Sequence, residues 1–157
     1  MTTVEEMDSS MIRRLLKSYT CFKGVFPCDQ LPYYTDLPLN LIVNTDPAHE
    51  PGQHWVCVSI NKEGRGYYFD SFGLPPIVPE ILEFLEKRST KGWTYNKKQI
   101  QDITSSTCGN YTVLFIIFKC NNLTPEDYLS IFGRKTLDND IKMRKIFRNF
   151  SLVKKLL

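Results

Sequence analysis

The sequence lacks any hydrophobic run long enough to cross a membrane as a helix. Its longest apolar stretch, YTVLFIIF, is far shorter than the ~20 residues that a spanning helix needs. The first ten residues, MTTVEEMDSS, are polar and acidic, without the basic-then-apolar order of a secretory signal. Repeats, linkers and low-complexity tracts are also missing. We therefore expect a soluble, non-exported protein whose 157 residues, 42% of them apolar, form one domain over 1–157.

The cysteines lack the spacing of a disulfide framework or of a metal site. Their number is odd, five in all, which predicts reduced thiols in an intracellular, reducing compartment. His54 and Cys57 are three apart, so in a strand they point to opposite faces and cannot share a metal ion. We expect no metal and no cofactor that the chemistry requires.

Acidic residues are missing from one segment, 141–157. It carries six basic side chains: Lys142, Arg144, Lys145, Arg148, Lys154 and Lys155. The simpler interpretation is the solvated face of a terminal helix whose apolar residues pack inward. A weak contact with DNA is the alternative, which a net charge of +3 neither demands nor excludes.

The pattern of elements predicts an α+β fold. Capping residues Asp8, Ser9 and Ser10 precede a short helix, and CFKGVFPCDQLP is interpreted as a loop. LNLIVNT is a strand candidate, EILEFLEKRS a helix, and WTYNKKQIQDI a further strand. A short helix follows Pro125, and a basic helix ends the chain. We expect a mixed, mainly antiparallel sheet packed against a buried helix that starts at Cys108, with flanking helices.

Two β-prone runs, HWVCVSI and GYYFDSFG, are joined by NKEGR and predict a hairpin. A hairpin brings the start of its first strand and the end of its second to one edge of the sheet. His54 and Asp70 occupy those two positions, so they should be near neighbours. A carboxylate there can fix the tautomer of the imidazole and stabilise its protonated form.

Cys108 follows three residues that can cap a helix, Ser105, Ser106 and Thr107, and it begins an apolar run that ends at Cys120. The length of this run favours a helix, although its β-branched content is typical of a strand. Unpaired amides and the helix dipole at such a start stabilise a thiolate. Gly109 removes a side chain beside the sulfur, so a substrate backbone can approach.

The blocks GQHWVCVSI, YYFDSFG and STCGNYTVLF, in that order, resemble the adenovirus-type maturation cysteine proteases, which share a clan with the SUMO-specific proteases. The closest likeness is to members from virophages, Polinton-type transposons and large DNA viruses. NTDPAHEPGQHW and GVFPCDQLP add to the resemblance, which covers residues 24–150. Ordered blocks of this kind are more specific than any one of them alone.

The resemblance implies a His-Asp-Cys triad of His54 (base), Asp70 (its orienting group) and Cys108 (nucleophile). It implies further that the Gln101 side chain donates to the oxyanion and that Trp55 flanks the substrate channel. Three positions depart from the family pattern. Adenovirus enzymes have glutamate where this chain has Asp70, and many relatives have a second cysteine where this chain has Thr112. Thr90 lies near the place of the cysteine that links the activating peptide in the adenovirus enzyme. Activation by a disulfide-linked peptide is therefore not expected. DNA is a second candidate activator.

The function that this resemblance implies is a cysteine endopeptidase that processes viral capsid or core precursors, cutting after glycine, in the host cytoplasm, viral factory or nucleus and within the virion. Three alternatives stay open: an isopeptidase for ubiquitin-like modifiers, an acetyltransferase that reuses the triad, and a non-catalytic nucleic-acid-binding module. A histidine before a strand and a cysteine at a helix start are also common as structural residues.

Overall fold

The computed structural model describes residues 6–33 and 36–150. This part of the chain contains five helices and five strands. In chain order they are α1 (Ser9–Leu16), β1 (Phe22–Pro27), β2 (Leu39–Asn44), β3 (Trp55–Ile60), β4 (Gly66–Phe69), α2 (Pro79–Arg88), β5 (Trp93–Tyr95), α3 (Cys108–Cys120), α4 (Pro125–Leu129) and α5 (Thr136–Arg148). Lys154 and Lys155 of the basic C-terminal segment lie outside the described residues.

The five strands form one sheet in the order β1-β2-β3-β4-β5. The central pairs, β2-β3 and β3-β4, are antiparallel, whereas the outer pairs, β1-β2 and β4-β5, are parallel. The predicted α+β class and mixed sheet are confirmed. The antiparallel pairs form the centre of the sheet, and one parallel strand is added at each edge.

Strand β1 corrects the interpretation of its segment as a loop. Gly24 and Pro27 are expected to break regular structure, but both are accommodated because, within the described residues, β1 is an edge strand whose one partner is β2. Gly24 has a φ of +139° at a register shift, and Pro27 closes the strand. An edge position tolerates such residues because one side of the strand needs no partner.

Helix α3 lies against one face of the sheet, and its apolar sequence follows from that position. Every residue from Cys108 to Ile117 is buried. Phe115 stacks on Phe69 of β4 with ring centroids 4.6 Å apart, and Tyr128 of α4 meets both rings edge-on. The helix predicted to start at Cys108 is confirmed.

The opposite face of the sheet is covered by α2. Val56, Val58 and Ile60 alternate along β3 onto this face, as their spacing predicts, and pack with Ile81 and Phe84 of the helix. Trp55 and Cys57 point to the α3 face instead. The sheet is therefore the middle layer of three, with α3 and α2 on either side.

Two cysteines are not free thiols. Cys21, between α1 and β1, is disulfide-bonded to Cys120, the last residue of α3, with Cα atoms 5.7 Å apart. The expectation of five reduced thiols is therefore wrong for this pair. The partners are separated by 99 residues, so the sequence offered no spacing that could show the bond. Cys28, Cys57 and Cys108 are free and buried.

Strand β5 is much shorter than the predicted strand WTYNKKQIQDI, because it ends at Tyr95. The next residue, Asn96, bonds the main chain of Asp70 with its side chain instead of with its backbone. Pairing stops there, and the chain continues through an irregular loop, residues 96–107, that leads into α3. The loop brings Gln101 towards the start of that helix.

Within the described residues, no helix is both long and apolar enough for a bilayer crossing. The same residues contain no group of three or more His, Cys, Asp or Glu side chains arranged to hold a metal ion.

Candidate active site

His54 and Asp70 meet at one end of the β3-β4 hairpin, as its register predicts. His54 directly precedes β3 and Asp70 directly follows β4. His54 Nε2 lies 2.8 Å from Asp70 Oδ1, and the histidine side chain is 16% exposed. The His54 carbonyl accepts a 2.9 Å hydrogen bond from the Thr45 amide, which ties this point of the chain to the end of β2.

Asp70 is held by its main chain as well as by its carboxylate. Its amide donates to Asn96 Oδ1 at 3.0 Å, and its carbonyl accepts from Asn96 Nδ2 at 2.6 Å. The Phe72 amide donates to Asp70 Oδ1 at 2.9 Å. Asp70 and Asn96 are both buried, at 4% and 2% exposure. The carboxylate therefore has little freedom to turn away from the histidine.

The His54 ring is also fixed from one face. Phe72 stacks on it with ring centroids 4.9 Å apart and an interplanar angle of 24°. Phe72 thus stacks its ring on the imidazole, and its amide donates to the carboxylate that binds the imidazole. This arrangement sets both the plane of the ring and the direction of its Nε2 bond.

Cys108, the first residue of α3, lies within interaction range of His54. Burial lowers the pKa of His54, but hydrogen bonds to Asp70 and Cys108 and the charges of both groups raise it, and the net pKa is raised from 6.5 to about 9. Because Nε2 is engaged with Asp70, Nδ1 is the nitrogen left for the sulfur. Near neutral pH the site therefore favours an imidazolium beside Cys108.

Thr107 occupies the N-cap position of α3 but makes no side-chain cap, contrary to the role predicted for it. Its hydroxyl donates instead to Asp140 Oδ1 of α5, at 3.2 Å. The sulfur follows at the first helical position, where amide N–H groups have no partner within the helix. Such amides are able to bind an anion in front of Cys108.

Gln101 is fully buried in the loop before the nucleophile. Its Oε1 accepts from Ser71 Oγ at 2.5 Å, while Nε2 donates to the Ser105 carbonyl at 2.9 Å and to Ser105 Oγ at 3.1 Å. Both N–H groups are therefore engaged with Ser105. Donation to an oxyanion requires that one of them leave it, and the longer bond to the hydroxyl is the weaker of the two.

Gly109 and Trp55 lie together beneath the N-terminal segment. The Trp55 indole N–H donates to the Met7 carbonyl at 2.9 Å. A Cβ built on Gly109 would lie 2.7 Å from Met7 Cβ and 3.4 Å from Trp55 Cδ1. The space that was expected to admit a substrate backbone is occupied by the chain's own Met7, so substrate can use it only when Met7 moves. The absence of a side chain at Gly109 is needed for this close approach.

Three contributors to the site were missed by the sequence analysis: Asn96, Phe72 and Met7. Phe72 directly follows Asp70 and Ser71 in the block YYFDSFG, so the motif alone could have indicated it. Asn96 gave no signal, because an asparagine after a short strand is ordinary. Met7 lies ahead of α1 and reaches the site only through tertiary packing.

Comparisons with known proteins show similarity to a protein named as a thiol protease and to the fold of a solved protease. A protein of Acanthamoeba polyphaga mimivirus, named as a thiol protease, is 31% identical in an alignment that covers 61% of this chain and 39% of the mimivirus protein. The crystal structure of an ASFV protease matches the fold with a TM-score of 0.56 and 18% identity, covering 88% of this chain and 63% of that chain. No protein-family model matches the chain.

These comparisons establish the fold as similar to that of a viral protease. The chain spans less than two thirds of the length of either relative, at 39% and 63%. The shared fold and the sequence similarity to a protein named as a thiol protease agree with the chemistry that His54, Asp70 and Cys108 permit.

Proposed function

We propose that the chain is a cysteine endopeptidase in which His54, Asp70 and Cys108 act as a triad. The observation that carries the proposal is the position of one imidazole between a carboxylate, 2.8 Å away, and a cysteine at a helix start. Cysteine as nucleophile, histidine as base and carboxylate as orienting group form a reaction centre that is defined by roles and not by chain order.

In the first half of the reaction the Cys108 sulfur attacks the scissile carbonyl. A C–S bond forms, and the carbonyl electrons move to oxygen, which the Cys108 amide and Gln101 Nε2 stabilise. When the intermediate collapses, the C–N bond breaks and the His54 imidazolium gives its proton to the leaving amine. The product of this half is a thioester on Cys108.

In the second half, neutral His54 takes a proton from water while the water oxygen attacks the thioester. The C–S bond breaks, the acid product leaves, and Cys108 and His54 return to their starting states. Asp70 holds the same Nε2 bond throughout and stabilises the imidazolium whenever it forms.

Thiol labelling tests the proposal directly. Limiting iodoacetamide near pH 6 should modify Cys108 well before Cys28, because the His54 imidazolium lies beside Cys108, whereas burial and nearby carboxylates raise the pKa of the Cys28 thiol. Cys108→Ala should abolish cleavage of internally quenched peptides, whereas Cys28→Ala, the control at another buried free thiol, should retain it. Equal labelling of the two thiols, with no cleavage by the native chain, would contradict the proposal.

For the substrate we propose viral capsid or core precursors cut after glycine during virion maturation. Support comes from the motif resemblance and from the viral origin of both similar proteins. Quenched peptides with Gly-Gly before the scissile bond should be cut faster than the same peptides with Ala-Ala. An unchanged rate would remove the glycine preference while leaving the protease proposal intact.

Other activities on this fold give different results in the same assays. An isopeptidase would prefer a ubiquitin- or SUMO-tail fluorogenic substrate over the short peptide. An acetyltransferase would consume acetyl-CoA in a reaction that requires Cys108. A non-catalytic module would show salt-sensitive DNA binding and an unreactive Cys108.

We further propose action inside the infected cell, in the cytoplasm, viral factory or nucleus, followed by packaging in the virion. The Cys21–Cys120 disulfide implies exposure to an oxidising step at some stage. Differential alkylation of protein from infected cells and from particles would show where the bond forms.

DNA added to the peptide assay at low salt tests activation through the basic helix. A peptide is a second candidate activator.

A further inference from the structure

A row of one buried and two half-buried hydrogen bonds connects α5 to the side chain of Gln101. Thr107 Oγ1 donates to Asp140 Oδ1 at 3.2 Å, and Ser105 Oγ lies 2.9 Å from Thr107 Oγ1. Gln101 Nε2 then lies 3.1 Å from Ser105 Oγ. The carboxylate of the C-terminal helix and the amide proposed for the oxyanion are thus joined through two hydroxyl groups.

The Asp140 carboxylate determines which group donates and which accepts in each hydrogen bond of this row. The one hydroxyl hydrogen of Thr107 goes to Asp140, so the Thr107 oxygen can only accept from Ser105. The Ser105 hydrogen is then used as well, so its oxygen can only accept from Gln101. That acceptor requires the Nε2 end of the amide. On the other side, the Ser71 hydroxyl donates to Oε1 at 2.5 Å and requires the same orientation.

Asp140 is built into the fold as a pure acceptor. It is 2% exposed, and besides Thr107 it accepts from the Tyr111 hydroxyl at 2.7 Å and from the Asp102 amide at 3.2 Å. Burial, together with the hydrogen bond and charge of Asp140, raises the pKa of Tyr111 above its usual value, so that hydroxyl keeps its proton and donates. These three donors hold the carboxylate in one orientation.

We propose that Asp140 is a positioning residue for peptide hydrolysis: acting through two hydroxyls, it gives the Gln101 amide a second acceptor beside the Ser105 carbonyl and so holds Nε2 towards the loop that leads into Cys108. The inference rests on the proposed function and extends it to a helix that contributes no group to the triad. Without the carboxylate, the Ser105 hydroxyl is no longer held as an acceptor, so only the Ser105 carbonyl fixes the Nε2 end of the amide, which then turns more readily away from the developing oxyanion.

Asp140→Asn tests the inference, because an amide at this position can donate as well as accept. We expect kcat/KM to fall roughly 10- to 100-fold, less than the loss of an oxyanion donor, with most of the change in kcat. A peptide aldehyde supplies the second readout: the Cys108 thiol adds across its carbonyl and places an oxygen at the oxyanion position. Its affinity should fall in parallel with kcat/KM.

Met143→Ala is the matched control, since it removes a buried side chain from the same helix without touching the row of hydrogen bonds. It should lower the melting temperature but leave aldehyde affinity near that of the native chain. If it weakens the aldehyde as much as Asp140→Asn does, the effect is general loosening of α5 and the inference is wrong.

A double-mutant cycle decides whether Asp140 acts through Gln101. In a Gln101→Ala background, Asp140→Asn should change kcat/KM by less than about 2-fold, because the amide that it orients is gone. Additive losses would overturn the inference. Should Asp140→Asn fail to fold, Thr107→Val breaks the same row within the loop and takes its place in the cycle.

The proposed function and this inference fail in different ways. A native chain that cleaves no peptide and binds no aldehyde contradicts the protease itself. A native chain that cleaves normally, with Asp140→Asn equal to it in kcat and aldehyde affinity, contradicts only the role of Asp140.

Discussion

The two halves of the candidate site are held by different forces. The first half, His54 with Asp70, lies where β3 begins and β4 ends, so main-chain pairing of a short hairpin carries both residues to one place. The second half, Gln101 with Cys108, depends on an irregular loop held by buried and half-buried hydrogen bonds to the Asp140 side chain of α5. Local pairing defines the first half, whereas contacts between distant elements define the second.

This difference predicts how each half responds to mutation. A hairpin keeps its register when one side chain is changed, so substitutions of His54 and Asp70 themselves should alter chemistry more than structure. A loop held by side chains loses its shape with them, so variants of the second half should alter both. Four predictions test the contrast, beginning with the largest expected effect.

Asp70→Asn should lower kcat/KM roughly 10³- to 10⁴-fold while leaving the fold intact. The amide occupies the same space but does not stabilise the imidazolium and can select the wrong tautomer. Peptide hydrolysis and circular dichroism measure the two effects. Glu83→Gln on α2, across the sheet, is the control and should match the native chain. A loss of less than ten-fold would show that the carboxylate is dispensable.

Asn96→Ala should lower the free energy of unfolding by about 1–3 kcal/mol, since it leaves the buried amide of Asp70 without a partner and removes one of the two donors to the Asp70 carbonyl, the other being the Gly73 amide. Urea denaturation measures this. Asn139→Ala removes comparable bonds to Ile100 and Gly133 beside the second half and serves as the comparison. We expect only Asn96→Ala to lower the alkaline pKa of kcat/KM. Equal shifts in both variants would remove the distinction between the halves.

The alkaline limb of kcat/KM should lie near pH 9. The pKa of His54 is raised to about 9, so the imidazolium that protonates the leaving amine persists below that pH and is lost as pH rises through it. Above the limb the rate should fall about ten-fold per pH unit, as for loss of a single required proton. A limb near 6.5, the ordinary histidine value, would mean that Asp70 and Cys108 do not stabilise the charge.

Phe72→Leu should have the smallest effect, a fall in kcat/KM of roughly 2- to 13-fold, corresponding to the ~0.5–1.5 kcal/mol of an aromatic pair. The amide bond to Asp70 is kept, and only the ring stacked on His54 is lost. Phe132→Leu, at an aromatic contact with Tyr111 and Tyr128, is the control for general packing. Equal losses in the two variants would assign Phe72 a packing role alone.

The sequence by itself determined the first half of the site and the elements that carry it. Alternation along β3 and a short hairpin loop are local properties, so they place His54 beside Asp70 without knowledge of the rest of the chain. The apolar run from Cys108 likewise predicted a buried helix, because its length and all-round hydrophobicity suit only an interior position.

Only the tertiary structure decided the features that depend on distant parts of the chain. Met7 against Gly109, Asn96 on Asp70, Asp140 behind Thr107 and the Cys21–Cys120 bond all join segments whose own sequences give no sign of the partner. The reason is physical: strand pairing repeats with a fixed period that can be read locally, whereas a single buried hydrogen bond or disulfide depends on where two separate elements come to rest.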